Sequence, residues 1–159
     1  MSARPKILLT RRWTAEVEKH LAQQYDVTLN EGDVPMDAAR LRAAMSQYDA
    51  ICPTVTDRID RNVLSAPDRR VRLIGNFGVG FNHIDVEAAR EFGINVSNTP
   101  DVLTDTTADL AIALMLMVSR RAGEGERELR AGKWTGWRPT HMMGQSLAGN
   151  TLGLIGFGR

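Results

Sequence analysis

The stretch from Val71 to Ser97 reads VRLIGNFGVGFNHIDVEAAREFGINVS, and it combines a short apolar strand, a glycine-containing turn, a helix and a second strand. Asp85 is placed to cap the helix, which is predicted to continue through Phe92, and Gly93 is placed to end it. Two short apolar strands joined by a helix are typical of parallel neighbours in one sheet. This unit therefore sets the expected fold class.

The same alternation of strand and helix signals extends back to the N-terminus. Strands are predicted at residues 6–10, 26–29, 49–52, 71–75 and 94–97, with helices at 14–25, from 35, around 63–64 and at 85–92. Five short strands separated by helices predict an α/β fold with a parallel sheet covered on both faces. Because such crossovers are right-handed, the pattern favours a flavodoxin-like sheet.

Thr99-Pro100 indicates a boundary, because proline disfavours helical geometry in the residue before it. After this point the alternation of short strands and helices ends. We therefore expect a first domain at residues 1–99 and the start of a second domain at residues 100–159. The first has an alternating rhythm of short strands and helices, and the second begins with longer elements.

The second part is predicted to begin with a helix at 104–121. This helix is apolar almost all round from residue 110 to residue 118, so it is expected to be buried on several sides, between domains or at a subunit contact. A polar helix at 124–131 follows. The apolar residues 151–155 are predicted to form a strand of the kind found at the centre of a parallel sheet.

Composition excludes several classes of partner. The chain has 159 residues with 20 Lys and Arg against 19 Asp and Glu, a net charge of +1, which argues against nucleic acid or a membrane surface as the main partner. Its longest apolar run is much shorter than the roughly 20 residues that a membrane span needs. No secretion signal is recognisable, so a cytoplasmic location is expected.

Cys52 is the single cysteine. It stands in an apolar stretch and is interpreted as a buried, inert thiol.

The turn after the fourth predicted strand is a candidate ligand site. Gly78 and Gly80 lie where open α/β sheets bind ligands, at the carboxyl end of a parallel strand. Backbone N–H groups in such a turn bind a carboxylate without a charged side chain. The alternative is a plain strand-to-helix turn, and the local pattern leaves both open. His83 is interpreted as structural, because the sequence indicates no partner carboxylate.

Two later segments suggest a nucleotide. The stretch 99–109, at the start of the long helix, has more hydroxyl groups than N-capping by Asp101 or Thr104 requires, and these groups are candidates for contact with a ribose or phosphate. Residues 156–159, Gly-Phe-Gly-Arg, begin a G-x-G-x-x-G dinucleotide fingerprint, of which the sequence holds the first two glycines.

Together these segments resemble the D-isomer-specific 2-hydroxyacid dehydrogenase family, in order and spacing along the whole chain. The closest detail is TPDVLTDTTA at 99–108 with WTGWRP at 134–139, which resembles the glyoxylate/hydroxypyruvate reductase branch. The matching segments are Gly78-Val79-Gly80, Asn98-Thr99-Pro100, residues 103–109, Arg120-Arg121, Gly132-Lys133-Trp134 and residues 153–159.

The resemblance implies a flavodoxin-like substrate-binding domain followed by the start of a Rossmann nucleotide-binding domain. It implies hydride transfer between NAD or NADP and a small 2-oxoacid such as glyoxylate or hydroxypyruvate. It also implies a homodimer built through the 104–121 helix and an arm at 124–148. The implied substrate contacts are Val79, Gly80 and Trp137, the last reaching the partner's active site, and the implied cofactor contacts are Thr107, Gly156, Gly158 and Arg159.

The family's catalytic arginine, glutamate and histidine match positions beyond Arg159. No catalytic residue or metal ligand is therefore assigned, and the 159-residue chain alone is expected to be inactive. The alternative function is a non-catalytic module of the same fold, corepressor-like or used for dimerisation. A receiver-like signalling domain is excluded, because the first and third predicted strands end in Thr10-Arg11-Arg12 and Cys52-Pro53-Thr54 rather than in an acidic cluster.

Overall fold

The computed structural model describes residues 4–158, and the chain divides into two compact units, the first ending at Asp101 and the second beginning at Val102. The first unit contains β1 (Lys6–Leu9), α1 (Ala15–Gln24), β2 (Asp26–Leu29), α2 (Ala38–Gln47), β3 (Ala50–Cys52), α3 (Arg61–Leu64), β4 (Leu73–Gly75), α4 (Val86–Glu91) and β5 (Asn95–Ser97). The second unit contains α5 (Thr104–Ser119) and α6 (Ala122–Arg130).

The five strands form one parallel sheet in the order β2-β1-β3-β4-β5. Leu8 of β1 pairs with both Thr28 and Ile51, and Ile51 in turn pairs with Ile74. This is the strand order of flavodoxin-like sheets. The predicted α/β, flavodoxin-like fold is confirmed, and all five strands end at the same edge of the sheet.

The two faces of the sheet bury alternate residues of each strand, as a period of two requires. Leu8, Ile51 and Ile74 contribute to the larger cluster, which also contains buried residues of α2, α3 and α4. Ile7 and Leu9 face the other side, where Leu21 of α1 packs against them. Both faces carry packed helices, as predicted, but the second side is more open at β4 within the first unit. Leu73 of β4 is 41% exposed, because α1 packs against β1 and β2, away from β4.

Three helices of the first unit have an aspartate as their N-cap residue. The side chain of Asp85 accepts a hydrogen bond from the N–H of Ala88, which confirms the predicted cap of α4. Asp37 and Asp60 do the same for α2 and α3. Each carboxylate satisfies an N–H group that the helix leaves unpaired and lies at the positive end of the helix dipole. These caps fix where the connections leave the carboxyl edge of the sheet.

The second unit buries none of the residues of its two helices. The long helix α5 ends at Ser119, two residues earlier than predicted, and its apolar side chains are exposed within this unit: Leu114 is 50% exposed and Val118 77% exposed. Its burial between domains or at a subunit contact stays a prediction. The segment after α6 packs locally, since the N–H of Gln145 donates to the Ser119 carbonyl at 2.8 Å. No helix in the described part of the chain has the length and hydropathy needed to cross a bilayer.

The prediction of a strand at 151–155 is wrong. Residues 151–158 adopt no strand, and Leu154 and Ile155 are 62% and 104% exposed. A central strand is held by hydrogen bonds to a neighbour on each edge. No other described segment pairs with residues 151–155, so their apolar sequence alone does not make a strand.

Candidate functional site

The carboxyl edge of the sheet places the turn at residues 78–80 directly after β4. Phe77 anchors the start of this turn, because its N–H donates to the Pro53 carbonyl at 2.9 Å. Asn76 is buried and its N–H donates to the Ser97 carbonyl at 2.9 Å, which continues the pairing of β4 with β5. The turn is thus fixed to the strands on both sides.

Side-chain amides hold all three carbonyl groups of the turn. The Nδ2 of Asn76 donates to the carbonyl oxygens of Gly78 at 3.1 Å and Gly80 at 2.9 Å. The Nδ2 of Asn98 donates to the carbonyl oxygen of Val79 at 2.8 Å. These hydrogen bonds fix the orientation of the three peptide carbonyl groups. The N–H groups of the turn do not take part in them, because the amide groups of Asn76 and Asn98 act here as donors.

Among the described residues, neither the N–H of Val79 nor that of Gly80 donates a hydrogen bond. Val79 is half-buried and Gly80 is exposed, so an approaching group has access to the turn. Two adjacent N–H groups with no internal acceptor attract an anion through their partial positive charges. Val79 and Gly80 therefore keep N–H groups without an acceptor in the described part of the chain, and their contact with a substrate carboxylate stays a prediction.

The two cations after β1 are already paired. The Nε of Arg11 lies 2.9 Å from Asp33 Oδ1, and Arg12 donates through Nη2 to Glu18 at 2.7 Å and through Nη1 to Glu31 at 2.9 Å. The hydrogen bond from Arg12 lowers the pKa of Glu18, so this buried carboxylate stays ionised. Both guanidinium groups are therefore already paired with carboxylates of the same unit.

An aromatic pair borders the turn. The rings of Trp13 and Phe77 lie with their centroids 4.9 Å apart and their planes tilted by 37°. Phe77 is the residue immediately before Gly78, so this pair forms an apolar wall beside the turn. Aromatic contacts at this distance add to the area that both rings bury, and they fix the position of Phe77.

Cys52 has the environment predicted for an inert thiol. It is partly buried among the residues packed against β1 and β3, and burial raises the pKa of its thiol to about 11. A thiol with this pKa holds its proton near neutral pH, and the thiolate is the nucleophilic form. Cys52 is therefore not a candidate nucleophile. The described residues also contain no cluster of three groups suited to hold a metal ion.

The remaining predicted residues lie in the second unit. Thr107 is exposed in the first turn of α5, and its hydroxyl has no hydrogen-bond partner among the described residues. Thr106 differs, because its Oγ1 donates to the Leu103 carbonyl at 3.2 Å. The predicted capping role of Thr104 is wrong, because Thr104 is the first residue inside the helix and the N-cap position is Leu103.

Trp137 and the glycine loop are both accessible. The side chain of Trp137 is 82% exposed, and it lines a pocket of about 390 Å³ with Trp134 and Leu129. Gly156 has a φ of +81°, a conformation that favours glycine, and Gly158 is exposed. Arg159, the last of the predicted cofactor contacts, lies outside the described residues.

Sequence reasoning missed Asn76 and Asn98, whose side chains hold the turn. A signal for them is present, because an asparagine follows the last residue of β2, β4 and β5. Asn30 has a similar task after β2, where its Nδ2 donates to the carbonyl oxygens of Thr10 and Val34 at 2.7 Å each. Amide side chains at the carboxyl ends of parallel strands thus organise the loops that carry ligand sites.

The chain matches known proteins along nearly its whole length. The family model for the D-isomer specific 2-hydroxyacid dehydrogenase catalytic domain matches residues 7–153. The glyoxylate reductase of Aeropyrum pernix is 41% identical over 98% of this chain, and the human glyoxylate reductase/hydroxypyruvate reductase is 35% identical over 97%. The chain spans about half the length of these relatives, 48% in both cases.

A solved structure supports the same relationship. The NADPH-dependent glyoxylate/hydroxypyruvate reductase of Sinorhizobium meliloti, determined with NADP and malonate, aligns with a TM-score of 0.77 and 34% identity, covering 98% of this chain and 47% of that protein. These matches confirm the predicted resemblance to the glyoxylate/hydroxypyruvate reductase branch. The chain belongs to the D-isomer specific 2-hydroxyacid dehydrogenase family.

Proposed function

We propose that this chain is the N-terminal part of a reductase that transfers hydride from NADH or NADPH to the carbonyl carbon of a small 2-oxoacid, glyoxylate or hydroxypyruvate. The observation that carries the proposal is the pair of unpaired N–H groups at Val79 and Gly80, in a turn whose carbonyl groups are all held by other residues. The names of the relatives point to the same substrates.

The first unit would bind and orient the substrate. The N–H groups of Val79 and Gly80 would hold its carboxylate, and this attachment fixes the position of the neighbouring 2-oxo carbon. Phe77 and Trp13 would border the site and exclude water from one side. Fixing one end of a small substrate in this way lowers the entropic cost of reaching the reactive geometry.

The second unit would supply part of the cofactor site. The free hydroxyl of Thr107 lies at the N-terminal end of α5, where N–H groups and the helix dipole also favour an anionic group. Gly156 and Gly158 would begin the pyrophosphate loop, and Arg159 is proposed with them from the sequence. When bound, the nicotinamide supplies the hydride.

We also propose that the enzyme is a homodimer through α5 and the arm at 124–148. The support is the uncovered apolar surface of α5 and the 82% exposure of Trp137. The arm has internal contacts, since His141 Nε2 lies 3.1 Å from Glu128 Oε1, so it keeps a defined shape while its tryptophans point outward. A cytoplasmic location stays a prediction from the sequence.

The role of the turn is tested at Gly80 with two variants of the full-length enzyme. Gly80→Pro removes one N–H group, and loss of one hydrogen bond to a charged group costs about 1.5–3 kcal/mol, so we expect the KM for glyoxylate to rise about 10- to 150-fold. Gly80→Ala is the matched control, because it keeps the N–H and an added Cβ meets no atom within 4 Å.

Steady-state kinetics on both variants give the answer, with circular dichroism to confirm that each is folded. An unchanged KM in a folded Gly80→Pro enzyme would remove the carboxylate from this turn. A KM raised equally in Gly80→Ala would show that the turn is sensitive to shape rather than to the loss of a donor.

The role of Thr107 is tested by replacing its hydroxyl with a methyl group. Thr107→Val in the full-length enzyme is expected to weaken cofactor binding about 2- to 10-fold, since a neutral hydrogen bond contributes about 0.5–1.5 kcal/mol. Thermal stability should change little, because the Thr107 hydroxyl has no partner among the described residues. Thr106→Val is the control, since that hydroxyl binds the Leu103 carbonyl.

Cofactor fluorescence titration and thermal denaturation measure the two effects separately. We expect Thr106→Val to leave cofactor affinity nearly unchanged. If Thr107→Val lowered the melting temperature and left affinity intact, the residue would have a structural role in the helix start instead.

A further inference from the structure

A buried asparagine connects the carboxylate-binding turn to a histidine outside it. Asn76 is only 3% exposed, and its side chain has three hydrogen-bond partners. On one side Nδ2 reaches the carbonyl oxygens of Gly78 and Gly80. On the other side Oδ1 lies 2.9 Å from Nε2 of His83. The histidine, interpreted from the sequence as structural, therefore contacts the group that holds the turn.

Hydrogen-bond chemistry fixes the direction of every bond in this chain of contacts. The Gly78 and Gly80 carbonyl oxygens accept only, so the atom that faces them must be the NH₂ group of Asn76. The other side-chain atom of Asn76 is then its carbonyl oxygen, which also accepts only. The Nε2 of His83 must therefore carry a proton and donate it to Asn76 Oδ1.

The surroundings of His83 favour its neutral form. Burial lowers the pKa of His83 below its usual value, and the carboxylate of Asp57 opposes this shift with a smaller effect. A neutral imidazole has a single N–H. The contact with Asn76 assigns that proton to Nε2, so the ring has one tautomer and one orientation.

We propose that Asn76 and His83 are positioning residues for substrate binding: His83 locks the Asn76 amide, and the Asn76 amide holds the Gly78 and Gly80 carbonyls so that the N–H groups of Val79 and Gly80 face the substrate carboxylate. The inference rests on the proposed function for its substrate. Its geometry stands on the hydrogen bonds alone.

The physical reason lies in the two-fold ambiguity of an amide side chain. Without a donor at position 83, Asn76 Oδ1 is buried with no partner, and the amide gains from rotating toward any other donor. A rotation by 180° would place Oδ1 against the two carbonyl oxygens, which repel it. Both states loosen the turn, and a loosened turn presents its N–H groups less accurately to a small anion.

Three substitutions separate this role from packing. His83→Leu keeps an apolar side chain of similar size and removes the donor. His83→Gln restores a donor, because the glutamine NH₂ lies near the position of Nε2. Asn76→Ala removes the connecting amide. Asn82→Ala is the matched control, since Asn82 is exposed in the same loop and its side chain has no hydrogen bond among the described residues.

The first measurement is nuclear magnetic resonance of the 159-residue chain and its variants. We expect His83 to show the Nε2-protonated tautomer in its ¹⁵N shifts. The amide signals of Val79 and Gly80 should move in His83→Leu and Asn76→Ala and return close to their original positions in His83→Gln. A proton on Nδ1, or unmoved turn signals in His83→Leu, would overturn the proposal.

The second measurement is kinetics of the full-length enzyme with glyoxylate. His83→Leu and Asn76→Ala should raise KM about tenfold while kcat changes less than about threefold, because the lost interaction binds ground state and transition state alike. His83→Gln should restore KM to within about threefold of the original, and Asn82→Ala should leave it unchanged. An unaltered KM in folded His83→Leu contradicts the inference.

The two measurements distinguish a failure of the proposed function from a failure of the positioning role. If the unmodified full-length enzyme reduces neither glyoxylate nor hydroxypyruvate, the proposed function is wrong, and the tautomer and the turn signals alone decide whether Asn76 and His83 position the turn. If the enzyme is active and His83→Leu matches it in both measurements, the proposed function stands and the positioning role is wrong.

Discussion

The 159-residue chain by itself should reduce glyoxylate at less than about one ten-thousandth of the rate of the full-length enzyme, with either NADH or NADPH. The family resemblance places the catalytic arginine, glutamate and histidine beyond Arg159. The described residues that would begin the nucleotide loop are exposed and form no strand. We therefore expect the isolated chain to lack both the acid–base chemistry and the positioning of the hydride donor.

Absorbance at 340 nm measures the rate, and circular dichroism confirms that the sheet of the first unit is formed. The full-length enzyme under the same conditions is the positive control. NAD(P)H-dependent reduction by a chain whose mass is verified as 159 residues would contradict the prediction. Inactivity of both proteins would instead favour the non-catalytic module of the same fold.

The full-length enzyme should be a dimer that Leu114→Glu combined with Val118→Glu converts to a monomer. These two residues are one helical turn apart, so they lie on the same side of α5, and Val118 is the most exposed large apolar residue of that helix at 77%. In a two-fold contact each substitution occurs twice, so four carboxylates would enter the interface. Each unpaired buried charge costs several kcal/mol, and the dimer dissociation constant should rise more than about a thousandfold.

Light scattering and sedimentation at micromolar concentration measure the assembly. Val34→Glu is the matched control, because Val34 is 59% exposed and lies in the first unit, so the dimer should persist. Trp137→Ala should keep the dimer and raise the KM, if the arm of one subunit reaches the substrate site of the other. A monomeric unmodified enzyme would defeat the proposal, as would a structure in which Trp137 contacts only its own chain.

Several features of the first unit followed from local sequence. The runs around Ile7, Ile51 and Ile74 alternate between the two faces of the sheet, and this pattern is a direct consequence of the strand period. The caps at Asp37 and Asp85 depend on residues three positions apart, so they too were predictable. Local rules succeeded wherever the interaction partners are close in the sequence.

The position of the turn that we propose to bind a carboxylate was predictable, but the contacts that hold the turn were not. Two glycines after a predicted parallel strand indicated a turn at the carboxyl edge of the sheet, and the structure has that turn. The residues that hold the turn were missed, because Asn98 contacts Val79 across 19 positions of sequence and only the pairing of β4 with β5 brings them together. His83 was assigned a structural role for the same reason, since its contact with Asn76 depends on how the loop folds back.

The sequence by itself determined the strand and helix rhythm, the helix caps, the glycine turn and the resemblance to a family, because each depends on residue types at fixed local spacing. Only the tertiary structure decided that Val79 and Gly80 keep their N–H groups free, that residues 151–155 form no strand, and that the apolar side chains of α5 stay exposed within their unit. Burial and strand pairing require a neighbouring element that is distant in the sequence. An apolar pattern indicates that a segment needs such a neighbour, but it does not identify the element that packs or pairs with it.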